Sequence, residues 1–211
     1  MASSPDISII RVIENLLSTS SLPGEAAHRK MSIRHRVPSF QHAHPPKEAS
    51  VLLLLYPGGS DWEVIYTKRT ETAGDRHKGQ ISFPGGRKEA GDADALATAL
   101  RETEEEIGVA ASTIIPLGTL TSLYIPVSNF LVQPFVGFLR EAPQFRVDPV
   151  EIERIISIPL HYLQTEEVVK RTAITVSGQY SLSDVPYFDL YGEVMWGATA
   201  MITAEFLEVI G

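Results

Sequence analysis

Eight consecutive residues, Ala49–Tyr56 (ASVLLLLY), carry no polar group other than Ser50 and the tyrosine hydroxyl. The run is far shorter than the roughly 20 apolar residues that span a bilayer. Pro57-Gly58-Gly59-Ser60-Asp61 ends it with turn chemistry. A strand points alternate side chains to opposite faces, so an unbroken apolar run has to be covered on both. The chain must therefore supply a sheet with a packed layer on each side, and 211 residues are enough to bury such a core in one domain. Trp62–Arg69 (WEVIYTKR) alternates and completes a hairpin with the first strand.

The remaining pattern supplies the layers. Ser4-Pro5-Asp6 reads as a helix start, followed by Ile9, Ile10, Ile13, Leu16 and Leu17 at helical spacing. Residues 19–48 read as an irregular lead-in, with a basic stretch over 28–36 and loop histidines at His42 and His44. Gln80–Phe83 is a short strand entering a Pro84-Gly85-Gly86 turn, and Asp92–Ile107 is a helix stopped by Gly108. Strands are expected near Ile114–Thr119, Gln133–Leu139, Ile152–Ile158, Glu167–Thr175 and Tyr187–Tyr191, then a helix over Trp196–Ile210. This order points to a single α/β or α+β domain over 1–211, with 1–48 as helix and lead-in and 49–211 as core and closing helix.

Charge and composition narrow the partners. Eighteen Lys and Arg against 26 Asp and Glu leave a formal net charge of −8, which disfavours nucleic acid or an anionic membrane as partner. The absence of cysteine excludes disulfides, zinc–thiolate sites and a cysteine nucleophile. The first residues have no basic leader and carry Asp6 and Glu14 among their apolar residues, so the expected address is cytoplasmic. The N-terminal helix is expected to pack on the domain or on the partner subunit of a homodimer.

The chemistry is concentrated in GGRKEAGDADALATALRETEEEIGV, residues 85–109. On a helix, Leu96, Ala99, Leu100, Thr103 and Ile107 form one stripe, and Glu102, Glu105 and Glu106 cluster beside it at i, i+3 and i+4. Glu104 points elsewhere, and Arg101 stands one turn before Glu105. Three carboxylates on one face repel one another. Either the face is merely solvated or it holds a hard divalent cation, which takes oxygen ligands. Gly85 and Gly86 ahead of the helix allow a close backbone approach, which suits a metal-bridged diphosphate.

The segment resembles the Nudix box, G-x5-E-x7-R-E-U-x-E-E-x-G-U with U aliphatic. Arg101, Glu102, Glu105, Glu106, Gly108 and Val109 match it. The box would place Gly at 87 and Glu at 93, where this chain has Arg87 and Ala93, with Gly86, Asp92 and Asp94 one residue away. Thr103 replaces an aliphatic residue. FPGG and TALRETEEEIG are similar to the coenzyme A pyrophosphatase branch, whose upstream signature resembles L-L-T-x-R-S…R-x3-G-x3-F-P-G-G. Arg69, Gly79 and Phe83-Pro84-Gly85-Gly86 fit it, while Arg76 lies one residue too close to Gly79 and Asp75 takes its place.

The resemblance implies a Nudix α/β/α sandwich with a mixed sheet. It implies metal-dependent hydrolysis of a diphosphate, with coenzyme A or an acyl derivative cut to 3′,5′-ADP and 4′-phosphopantetheine. Glu102, Glu105 and Glu106 become the expected ligands of Mg²⁺ or Mn²⁺, with Arg101 orienting Glu105. Arg69, Arg76, His77, Gly85 and Gly86 become candidate substrate contacts. A distal carboxylate is expected from Asp148, Glu151 and Glu153, with Glu151 chosen. The alternatives are a Nudix hydrolase of ADP-ribose, dinucleotides or nucleoside triphosphates, and a Nudix-fold binding module without turnover.

Overall fold

The computed structural model describes residues 5–33, 41–71, 79–176 and 180–211. Helix α1 (Ser8–Thr19) starts two residues beyond Pro5-Asp6, because the Asp6 carboxylate accepts both the amide and the hydroxyl of Ser8, at 2.8 and 2.7 Å. The lead-in is not wholly irregular. It contains α2 (Glu25–Lys30), and His28, placed by its sequence in a basic stretch, is buried. Strands β1 (Lys47–Gly58) and β2 (Asp61–Arg69) form the expected hairpin. β3 (Ile81–Ser82) follows. Then comes β4 (Gly85–Arg87), where the sequence reads as a turn but the backbone pairs antiparallel with Ala49–Val51.

Helix α3 (Ala95–Ile107) is capped by Asp94, whose carboxylate accepts the Ala97 amide at 2.8 Å, and ends at Gly108 in the left-handed region. The helix starts three residues after the expected Asp92, because Asp94 is its cap and Asp92 is committed to Arg101. Next come β5 (Ile115–Thr119), β6 (Leu123–Ile125), β7 (Phe130–Phe138), β8 (Ile152–Pro159) and the single turn α4 (Leu160–Leu163). β9 (Val169–Val176), β10 (Tyr180–Leu190) and β11 (Glu193–Met195) form a second, antiparallel sheet, and α5 (Gly197–Ile210) closes the chain.

The main sheet runs β3-β2-β1-β7-β5, with β4 on β1, β6 on β7 and β8 on β2. It is mixed, because β1 and β7 are parallel while the other pairs are antiparallel. The apolar run sits at its centre and fills both faces. Leu53 and Leu55 join Ile10 and Ile13 of α1 and Phe206 of α5 in one cluster, and Leu52 and Leu54 join Ala99 and Ile107 of α3 in the other. All four leucines are fully buried, each contributing about 1.5–3 kcal/mol of transfer free energy. The sandwich follows from this strand, since helices have to cover both of its faces.

Candidate active site

Three chain segments meet at the C-terminal end of β2. The first is α3, which presents Glu102, Glu105 and Glu106. The second is β4, whose glycines lie against those carboxylates. An alanine-sized Cβ at Gly86 would come within 2.5 Å of the Glu102 carboxyl, and one at Gly85 within 2.3 Å of the Ser50 carbonyl oxygen. Gly86 therefore serves close strand–helix approach and Gly85 close strand–strand approach, rather than a turn. The third is the connection into β8. Its backbone is tied to the end of α3, with the Arg146 amide donating to Ile107 O and the Asp148 amide to Glu106 O, both at 2.9 Å. That tether brings the distal acidic stretch to the helix.

Glu106 is the most confined of the acids. It is 2% exposed, accepts the Gly85 amide at 3.1 Å on one carboxyl oxygen and faces the Arg69 guanidinium at 3.3 Å with the other. Burial pushes its pKa up to about 8; the Gly85 amide and Arg69 pull it down, and Glu102 and Glu151 add repulsion. Glu102 is raised too, by burial first, with Glu105 and Glu151 adding to it and Arg101 opposing. Glu102, Glu106 and Glu151 thus share one field. Arg69 bridges two of them, since its other nitrogen lies 3.7 Å from Glu151. A register shift between Lys68 and Arg69 in the β2–β8 ladder marks where the strand turns this arginine toward the acids.

Arg101 holds the outer side. It pairs with Asp92 through two nitrogens at 2.9 and 3.0 Å, with Glu102 at 3.0 Å and with Glu105 at 2.9 Å. The pairing with Glu105 is as expected. Nothing in the local sequence pattern marks Asp92 as the partner of Arg101. Asp92 stands one residue from the box position 93, and its displacement by one place still delivers a carboxylate to Arg101. Glu105 is exposed and reaches the cluster through Arg101 and through repulsion with Glu102. Glu104 lies apart, accepting the Ala111 amide at 2.9 Å.

Of the distal candidates, only Glu151 faces the helix acids. Asp148 is spent on its own turn, accepting the Val150 amide at 2.8 Å, and Glu153 pairs with Arg154 at 2.9 Å. Arg76 and His77 lie outside the described residues. Among the described residues, no three His, Asp or Glu side chains stand in ligand geometry for a single ion. The acids instead turn to Arg69, Arg101 or the Gly85 amide. The donor set is nevertheless all anionic oxygen, and two of its members carry a raised cost of ionisation that a divalent cation would offset. The residues therefore fit a hard metal ion.

Comparison with known proteins gives a consistent picture. A family model described as NUDIX domain matches residues 46–174. The human protein named mitochondrial coenzyme A diphosphatase NUDT8 is 34% identical over 168 residues, covering 78% of this chain and 70% of that protein. Nudix hydrolase 15, mitochondrial, of Arabidopsis thaliana is 36% identical over 166 residues, covering 74% of this chain but only 56% of its own length. The crystal structure of a MutT/nudix family protein from Enterococcus faecalis superposes with a TM-score of 0.50 at 15% identity, over 91% of this chain and 70% of that one, a likeness of fold alone.

Proposed function

The chain belongs to the NUDIX family, and from that premise we propose that it is a metal-dependent pyrophosphohydrolase acting on coenzyme A or its acyl derivatives. The observation that carries the reading is the convergence of Glu102, Glu106, Glu151 and Arg69 on the glycine strand β4. The name of the human relative and the Phe83-Pro84-Gly85-Gly86 signature supply the substrate class.

Glu102 and Glu106, with Glu105 beside them, would hold Mg²⁺ or Mn²⁺. When bound, such an ion supplies Lewis-acid neutralisation of the diphosphate and lowers the pKa of water. This chain's own residues do the rest. Arg69 exchanges its carboxylate partners for phosphate oxygens, which its planar fork matches. Gly86 keeps the strand clear so that the diphosphate can approach Glu102. Glu151, half-exposed, takes a proton from the attacking water at its carboxylate. The water oxygen bonds to one phosphorus, the bridging P–O bond breaks, and the products are 3′,5′-ADP and 4′-phosphopantetheine.

In this reading the partner is a small diphosphate rather than nucleic acid or a membrane surface, in keeping with the net charge of −8. No helix among the described residues is long and apolar enough to cross a membrane. A cytoplasmic address stands against the mitochondrial names of both relatives; imaging of the tagged chain in cells decides between them. A homodimer would use the exposed Ile9 and Val12 of α1, and sedimentation analysis reads it.

The test is chromatography of products after incubation with coenzyme A and Mg²⁺. Equimolar 3′,5′-ADP and 4′-phosphopantetheine, abolished by EDTA and restored by Mg²⁺ or Mn²⁺, are expected. Intact coenzyme A, or a higher kcat/KM for ADP-ribose, would overturn the substrate assignment.

A further inference from the structure

On the reading that the substrate is coenzyme A, we infer that Arg87 and Lys47 form a subsite for its 3′-phosphate and so discriminate coenzyme A from its dephosphorylated form. The register of β4 on β1 places Arg87 opposite Ala49, and Lys47 lies two residues back on the same face. Two cations are thus neighbours on one sheet face of a chain with net charge −8.

Neither cation has an ion-pair partner among the described residues. Both are exposed, and the Lys47 ammonium sits 5.7 Å above the Phe130 ring centroid. The next basic residue, Lys88, is occupied by Glu48 at 3.0 Å. The two cations stand at diagonal positions of the strand pair, within reach of one anion placed between their long side chains. Together with Glu48, Lys88, Glu89 and Ala90, they line a shallow hollow open to solvent. Once Lys88 has neutralised Glu48, the lining still holds two cations against the Glu89 carboxylate.

The place of this hollow sets what it can hold. Arg87 directly follows Gly86, whose Cα abuts the Glu102 carboxyl. Gly86 faces α3, whereas Arg87 faces away. β4 pairs only with β1 among the described residues, so a nucleotide laid across its open edge reaches both faces. Arg87 is thus the next strand position after the one that meets Glu102. A phosphomonoester on the nucleotide's ribose carries close to two negative charges at neutral pH and three acceptor oxygens, which the Arg87 fork and the Lys47 ammonium match. Arg87 also stands at the position where the Nudix box calls for glycine. The cation is therefore a feature of this chain's own strand rather than of the box.

The test measures kcat/KM for coenzyme A and dephospho-coenzyme A in the wild type, Arg87→Gln and Lys47→Gln. Lys30→Gln is the control, because Lys30 pairs with Glu208 on another part of the surface. Loss of one charged contact to a phosphate is expected to cut kcat/KM for coenzyme A about tenfold, with dephospho-coenzyme A unchanged within twofold. Calorimetry with 3′,5′-ADP and 5′-AMP gives a readout independent of turnover: the wild type should bind 3′,5′-ADP more tightly, and Arg87→Gln should erase the difference. Equal losses on both substrates in a folded variant, or equal binding of the two nucleotides by the wild type, would overturn the subsite. Absence of turnover on either coenzyme, with the nucleotide preference intact, would instead remove the proposed activity and leave the phosphate subsite standing.

Discussion

Replacing Glu106 by glutamine should change how stability depends on pH, and the structure sets the size of the change. Glu106 ionises near 4.5 in an unfolded chain and near 8 in the folded one, because its carboxyl is buried. Between those values the folded chain keeps a proton that the unfolded chain has released. Stability therefore falls as pH rises through the window and levels off above 8. From pH 5 to pH 8 the loss from this one group is roughly 3 kcal/mol. Glutamine has no such proton. It offers one acceptor where the carboxylate meets two donors, the Gly85 amide and Arg69, a cost of about 1–2 kcal/mol that is similar at both pH values. The pH difference, not the absolute stability, is therefore the readout. Urea unfolding in EDTA at pH 5 and pH 8 should show the wild type losing roughly 3 kcal/mol more than Glu106→Gln across that interval. Parallel pH profiles for the two proteins would mean that Glu106 ionises as an ordinary surface acid and that its burial does not hold the proton.

Two further outcomes follow from the packing. Gly86→Ala places a methyl group within 2.5 Å of the Glu102 carboxyl, and steady-state kinetics should show at least a tenfold fall in kcat with the fold retained by circular dichroism. Glu205 is fully buried and accepts the Gly24 and Thr121 amides at 3.2 Å and His28 Nε2 at 2.9 Å, so Glu205→Ala should cost about 3 kcal/mol by urea unfolding at pH 7. His28 and the Thr121 contacts outweigh burial and hold Glu205 below the usual carboxylate range, so its contribution is present above the unfolded pKa and lost as pH falls through the folded one.

The sequence revealed those parts of the fold in which one strong signal dominates. The run at Ala49–Tyr56 demanded cover on both faces, and β1 has it. The acidic helix was read with its stripe and its Gly108 stop, because periodicity and cap chemistry agree there. Short elements escaped. β6, β11 and β4 have three residues each, too few for alternation to register, and Gly85-Gly86 reads as a turn because no side chain announces its pairing. Helix α2 was masked by charge, since His28-Arg29-Lys30 reads as a solvated patch until Glu205 is seen beneath it. That glutamate had a faint signal, a lone acid in the apolar run TAMITAEF. Spacing alone does not rank Glu151 above Asp148 and Glu153. What sets it apart is the pair of backbone bonds that tie Arg146 and Asp148 to the end of α3, a tertiary fact that no local pattern encodes.

Hydrolysis at the face carrying Glu102 and Glu106 is tested by kcat on coenzyme A at saturating Mg²⁺ for Glu106→Gln against Glu104→Gln. The Glu104 variant keeps an oxygen for the Ala111 amide and leaves the cluster untouched, so it should turn over at nearly the wild-type rate. Glu106→Gln removes one charge from the acids that face the diphosphate and should lose on the order of 10²-fold or more. Equal rates in two folded variants would contradict hydrolysis at this face and reduce the acidic run to a solvated helix face.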